Sequence, residues 1–596
     1  MAHANRSEHR TPDGASEALP VDVFPASNGE FVPPPPTARQ RTIMARAEAE
    51  TERYRRRFGM NRREFVRSAA AMAIGFWAID SVGRGRWGSY ASAHNTSTTD
   101  ACDLEWGMAD GDFSLANKPG EFIFDVQSHH VDPEGMWRVT NPAFHAAFAT
   151  LWSQSGPQGT RPQIRADGTV RGFGGGELDP IKNLSRFHYM KELFLDSSTN
   201  MTVLSAVPTA PDDKNPLPIA EAAATVRSIN DLAGNRRSVL HGFVMPNRGS
   251  AGNGTDGYGL MPLNLQEELD LMTQRVTDFR GLLAGWKIYP AWGDVPYASG
   301  WFLDAPVGDA FLNHVEHLAN TPEGQAAGLR SVVAIHKGFA LPGFDQRAAA
   351  PRDVGPAALS HPGVDLLIYH SGHDLFAGGQ SDYDDEREIP DDERSVDAFI
   401  RSLRRAGVHA HGSTMPDPGA PPTGHLGDNA PNVYAELGSV WRDYIGDPDS
   451  ATHLLGKLIR NVGPRRVIWG TDSLWYGSPQ REIAALRRLR FTDDAKSHYG
   501  LPHGLEGDID DPQQLATTPD RSIRNGILGR NAARAYGIDV ESDYERLSCD
   551  QVNAFRESFV TDPLTERERS PYASNTILGP RNAAELAAER NGPWAP

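Results

Sequence analysis

The chain has little cysteine, no excess of positive charge and no long apolar run. Only Cys102 and Cys549 occur in 596 residues, which excludes a CxxC metal site or a disulfide scaffold. One bridge between these two stays open if the protein is exported, although each lies in a segment outside the expected core. Lysine and arginine number 59 against 77 aspartates and glutamates, a formal charge of -18. That balance argues against a general binder of nucleic acid or anionic membrane, since no basic excess is available to meet phosphates. A small anionic ligand in a local basic pocket remains compatible with it. No GxSxG elbow or P-loop is visible, and Gly172 to Gly176 lacks the strand-to-helix context of a phosphate loop. The hydrophobic share is 39%, a globular composition with room for one large domain plus extensions.

Residues 1–60 are rich in Pro, Glu and Arg, with four prolines at Pro33 to Pro36. Too little apolar surface is present to offset chain entropy, so a disordered leader is expected, with a fluctuating helix over Ala45 to Arg57. Residues 61–93 open with Asn61-Arg62-Arg63-Glu64-Phe65 and continue into the Ala-rich run Ser68 to Ile79. This pattern resembles a twin-arginine export signal, and Ala91-Ser92-Ala93 would supply the cleavage site. The apolar run of about twelve residues is too short for a stable membrane anchor. The resemblance implies passage through the twin-arginine machinery to the periplasm or the outside. Residues 94–121 read as a linker.

From Phe122 onward the pattern alternates between strand and helix, the signature of βαβ units. Candidate strands are Phe122 to Val126, Thr202 to Val207, Ser238 to Val244, Gly285 to Tyr289, Val332 to Ile335, Asp365 to Tyr369, Asn432 to Glu436 and Arg466 to Trp469. The clearest helical pattern, Leu265 to Leu283, places Leu265, Leu269, Met272, Val276, Phe279 and Leu283 on one face. Further helices are expected at Asp309 to Ala319, Val396 to Ala406, Thr452 to Val462 and Arg481 to Leu489, with a closing helix pair over Arg521 to Ile538. The prediction is α/β: a (β/α)8 TIM-like barrel over residues 122–540, with long βα-loop insertions at 132–184 and 372–431. A helical extension, 541–596, would wrap the barrel or mediate assembly.

Several candidate strands end in chemistry. Val467 to Gly470 leads to Thr471-Asp472, and the runs from Phe122, Val332 and Leu366 end at His129, His336 and His370. In a barrel, the C-terminal ends of strands carry the reacting groups. Lys287 ends the fourth strand, Glu436 the seventh as an inward-facing acid that would support the site or pair with a buried cation, and Trp475 follows Asp472 as a candidate pocket wall. His188 and Glu192 share helical spacing but read as a surface pair. His130, next to His129, would face the opposite side.

The ordered stretches DVQSHHVD, GWKIYP, VVAIHKG, LLIYHSG, NVYAELGS, VIWGTDSLW and ILGRNAARAYGI resemble the amidohydrolase superfamily. Within it they are most similar to the branch containing aminocarboxymuconate-semialdehyde decarboxylase. The resemblance implies an enzyme: a metal-dependent hydrolase or lyase acting on a small carbonyl- or carboxylate-bearing molecule. It implies a divalent metal, zinc by preference, held by His129, His336 and Asp472, with Gln127 as a weak donor where the family has a histidine. Asp472 and His370 would be the catalytic groups, and Lys287, Glu436 and Trp475 the substrate contacts. Two alternatives remain: a metal-independent lactone or ester hydrolase, and a barrel that binds a ligand without turnover. A homo-oligomer is compatible with all three.

Overall fold

The computed structural model describes residues 38–57, 61–62, 117–142, 144–146, 163–164, 170–171, 181, 184–207, 214–248, 264–293, 300–340, 344–374, 392–406, 432–445, 448–475, 477–542, 550–554 and 556. Eight parallel strands form its centre: β1 (Phe124–Ser128), β2 (Met201–Leu204), β3 (Ser238–Phe243), β4 (Leu283–Ile288), β5 (Val332–His336), β6 (Asp365–Tyr369), β7 (Val433–Glu436) and β8 (Val467–Ile468). Each pairs with the next in chain order. The ring closes between β8 and β1, where Val126 N–H donates to Trp469 O at 3.1 Å and Asp472 N–H to Gln127 O at 2.9 Å. All eight expected strands are present, with ends shifted by a few residues.

A helix follows every strand. They are α1 (Arg186–Met190, continued as a π-turn over Lys191–Leu195), α2 (Ile219–Ala233), α3 (Leu265–Asp278), α4 (Pro306–Asn320), α5 (Val354–Ser360), α6 (Val396–Arg405), α7 (Pro448–Asn461) and α8 (Gln480–Arg488). Their amphipathic stripes cover the outer faces of the strands. In α4, Val307, Phe311, Leu312, Val315 and Leu318 are buried, each contributing about 1.5–3 kcal/mol of apolar transfer. Pro306 opens this helix, where its missing N–H costs no helical bond. The Ser395 hydroxyl accepts from Ala398 N–H and caps α6.

Three expectations change. The helices α2 and α5 were not foreseen: on the buried face of α2, Ala222, Ala223, Thr225, Ser228 and Ala233 interrupt the apolar stripe of Ile219, Val226 and Ile229, and α5 has only seven residues. The closing segment is one continuous helical run, Ile523–Asn525 through a π-turn at Gly526–Arg530 to Asn531–Tyr536, rather than a helix pair. Part of the leader, Ala38–Arg57, forms a helix instead of staying unstructured. Glu52 pairs there with Arg55 and Arg56, three and four residues on.

The closing helix plugs the N-terminal mouth of the barrel, where Tyr536 packs edge-on against Phe124 at 5.4 Å and joins Val203, Val239 and Leu367 in one cluster. Beyond it, a piece of the C-terminal extension docks on the same end. Asp550 meets the fully buried Arg237 through two bonds of 2.6 and 2.7 Å, and Arg556 donates to Phe194 O and Thr199 O. The twin-arginine stretch from Arg63 on, most of the linker, both cysteines, Gly172 to Gly176 and Tyr476 lie outside the described residues. Among the described residues, no helix is long and apolar enough to cross a membrane.

Candidate active site

At the C-terminal rim the strand ends bring together the residues singled out above. Asp472 stands just past β8 in a left-handed backbone conformation (φ 59°). Its Oδ1 accepts from Gln127 Nε2 at 3.0 Å and faces His129 Nε2 at 3.2 Å, while Oδ2 accepts from Ser439 Oγ at 2.6 Å. His370 Nε2 faces His336 Nδ1 at 3.2 Å and Gln127 Nε2 at 3.4 Å. So His129, His336, His370, Gln127 and Asp472, spread over 345 positions from Gln127 to Asp472, form one contact network.

The tautomers follow from the outward contacts of the three rings. His129 Nδ1 lies 2.8 Å from Ser205 O, His370 Nδ1 2.8 Å from Gly438 O, and His336 Nε2 2.5 Å from Phe339 O. A carbonyl only accepts, so each of these ring nitrogens carries the proton. The inward nitrogens, His129 Nε2, His336 Nδ1 and His370 Nε2, are therefore lone pairs in the neutral rings. Two of them point at each other across 3.2 Å, and the third points at a carboxylate. Such contacts repel unless a proton or a cation lies between them.

Burial sets the electrostatics. It lowers His370 to about 4, with Asp472 pulling the other way, and holds His336 well below its ordinary value, reinforced by His370. For Asp472 burial pulls upward, but the rings of His129 and His370 in their protonated forms and the hydroxyl of Ser439 leave it well below the carboxylate range. Lys287 is fully buried, and burial drives its amine well below 10.5 against the attraction of Asp472 and Glu436. Its Nζ sits 3.5 Å from the centre of the Tyr369 ring and 4.6 Å from that of Tyr289, with no hydrogen-bond acceptor. Trp475 stacks on His129 at 5.3 Å and 13°.

Of the expected places for Glu436, a substrate contact or an acid supporting the site, its contacts fit the second: it is fully buried and both of its oxygens accept backbone N–H groups, from His370 at 2.9 Å and Gly438 at 2.5 Å. His188 and Glu192 differ from expectation: Glu192 is buried, and His188 bonds Ser185 at 2.9 Å rather than its helical partner. His130 does face away, toward Thr225 on α2 at 2.9 Å. His373 and Asp374 turn to Asp443 and Arg394 and stand apart from the network. Ser439 was missed, since a serine next to a glycine carries no signal in sequence. Ser205 and Gly438 were missed because they act through backbone carbonyls.

Among the described residues, no three His, Cys, Asp or Glu side chains stand ready-grouped around a metal ion. The contacts run pairwise, His129 with Asp472 and His336 with His370. The donor chemistry still fits a divalent cation. Three imidazoles are each fixed by a carbonyl behind them, as ligand histidines commonly are. Their lone pairs gather beside a carboxylate, and the buried Gln127 Oε1 has no donor of its own.

This is a (β/α)8 barrel with a histidine and carboxylate site on its C-terminal rim. Residues 406–538, which span β7, β8 and the closing helices and include Asp472, match the amidohydrolase family model. No curated protein matches the sequence. Similar solved structures include a 2,6-dihydroxybenzoate decarboxylase from Rhizobium, at 12% identity and TM-score 0.32, covering 70% of this chain and 99% of that one. A 5-carboxyvanillate decarboxylase from Sphingomonas paucimobilis, at 15% and 0.33, covers 70% of this chain and 99% of its own. An amidohydrolase from Burkholderia multivorans with bound zinc, at 13% and 0.34, covers 70% and 100%.

Proposed function

We propose that the protein is an exported, metal-dependent hydrolase or lyase of the amidohydrolase type, acting on a small carbonyl- or carboxylate-bearing substrate. The observation that carries this reading is the tautomer set: three rings donate outward to Ser205, Phe339 and Gly438 and turn lone pairs inward beside Asp472. His129, His336 and Asp472 would hold the ion. Gln127 would add its amide oxygen, reversing the orientation that now gives Nε2 to Asp472. A divalent ion supplies a bound water of lowered pKa or polarises a substrate oxygen.

The chain's own residues do the rest. His370, neutral above its lowered pKa of about 4, has Nε2 free to take a proton from the reacting group and return it. Lys287 offers an amine with no acceptor. A substrate carboxylate brought to it favours the charged form and is anchored by it. Trp475, stacked on His129, closes one side of the site to water.

A second reading drops the metal. Gln127 Nε2 and Ser439 Oγ both donate to Asp472, and His129 faces it directly, which suits a general base acting on a lactone or ester. Metal content of the purified protein, with turnover of aryl carboxylates, lactones and amides before and after chelation, separates the two. Stoichiometric zinc or manganese that is lost in His336→Ala supports the first. Metal-free protein whose activity survives chelation and His336→Ala refutes it, and binding of these compounds without any turnover would make the barrel a ligand-binding one.

A further inference from the structure

Two strand ends at the rim share one carboxylate, that of Glu436, and a third is linked to it through Ser439. Glu436 is the last residue of β7 and is fully buried. Its Oε2 accepts from the backbone N–H of His370, past β6, and its Oε1 from that of Gly438. Gly438 in turn offers the carbonyl that fixes the His370 ring at Nδ1, and the next residue, Ser439, donates to Asp472 past β8. His370, Ser439 and Asp472 all have positive φ, at 62°, 58° and 59°. That conformation is disfavoured for residues with a side chain, and at His370 it turns the N–H to the Glu436 carboxylate.

The surrounding backbone is shaped to admit this carboxylate. A Cβ on Gly470 would come 1.7 Å from Glu436 Oε1, and one on Gly438 would come 2.6 Å from the same atom. Glycine at both places leaves the space that Glu436 fills. Ser371 adds a bond from its hydroxyl to the Glu436 carbonyl at 2.7 Å.

We infer that Glu436 is the positioning residue of the site: it holds the proton-transfer histidine and, through Gly438 and Ser439, the carboxylate of Asp472 in one fixed geometry. This rests on the reading of the rim as a metal site with His370 as its acid and base. Both oxygens are needed as acceptors. Glutamine would turn an NH2 group toward one of the two N–H donors, and aspartate is a methylene too short to reach both.

The test uses the full chain with Glu436→Gln and Glu436→Asp. Mn2+ binding is followed by EPR, thermal unfolding is recorded alongside, and the 15N signals of the His370 ring are assigned with His370→Asn. Glu436→Gln is expected to weaken Mn2+ binding about 10- to 100-fold, as loss of a supporting contact behind metal ligands does. The Nδ1-protonated His370 signal should broaden or shift, with Glu436→Asp affected at least as much. Folded variants that keep the His370 signal and bind Mn2+ within twofold of the parent overturn the proposal. If the parent itself binds no Mn2+, the metal reading falls, and the His370 signal alone decides the role of Glu436. If Glu436→Gln does not fold, Glu436→Asp is scored by the same two measurements. If neither folds, Glu436 is a residue of stability and the proposal is overturned.

Discussion

Asp550→Ala tests whether the C-terminal extension belongs to the folded domain. Arg237 has no exposed side-chain surface, and its guanidinium is met by both oxygens of Asp550, at 2.6 and 2.7 Å, and by Asn200 O at 3.0 Å. Removing the carboxylate takes both anionic acceptors from a buried positive charge. Breaking a buried pair from one side costs about 3–5 kcal/mol, more than the ~0.5 kcal/mol within which an ordinary surface substitution falls. Asp550→Asn keeps the shape and one acceptor and should lose less. Replacing both partners by leucine removes the charge altogether and should recover most of the loss, because the desolvation cost then disappears with the ion. Urea denaturation followed by tryptophan fluorescence gives each value. A loss below about 1 kcal/mol in Asp550→Ala, or a double variant as unstable as the single, would show that the tail is not docked on Arg237.

Two further predictions concern pH and export. Burial lowers His130 to about 3, so the folded protein leaves this ring neutral where the unfolded chain takes up a proton near 6.5. Its stabilising share is complete above 6.5 and is lost as pH falls toward 3, by up to ~1.4 kcal/mol per pH unit. Burial raises Asp125 to about 8 and Asp365 to about 6, which pulls the opposite way, so the comparison is with His130→Asn: the parent should lose stability relative to it between pH 6.5 and 4.5. An unchanged difference in urea midpoints contradicts this. For export, Arg62→Lys with Arg63→Lys should keep the full-length protein in the cytoplasm of a host with a twin-arginine pathway. Equal amounts outside the cytoplasm for parent and variant would rule that route out.

The barrel was legible because its strands are buried on both faces and read as short apolar runs at regular intervals. Val332 to His336 and Asp365 to Tyr369 are examples, each ended by a polar residue at the rim. Helix α2 was not, since small and polar residues interrupt the buried stripe of Ile219, Val226 and Ile229. Of the site, the residue types at strand ends were legible: His129, His336, His370 and Asp472 stand where parallel strands deliver side chains to one end. For Glu436 the sequence left a supporting acid and a substrate contact both open, and only the fold shows both of its oxygens turned to backbone N–H groups.

The sequence alone determined the architecture and the side chains available to the rim, because alternation and burial are local properties of consecutive residues. Which ring nitrogen carries a proton, and which carboxylate faces the site rather than supporting it, was decided by the tertiary structure. Those choices depend on the carbonyls of Ser205, Phe339 and Gly438 and on the left-handed turns at His370, Ser439 and Asp472. Such contacts join strands far apart in the chain, and no run of neighbouring residues encodes them.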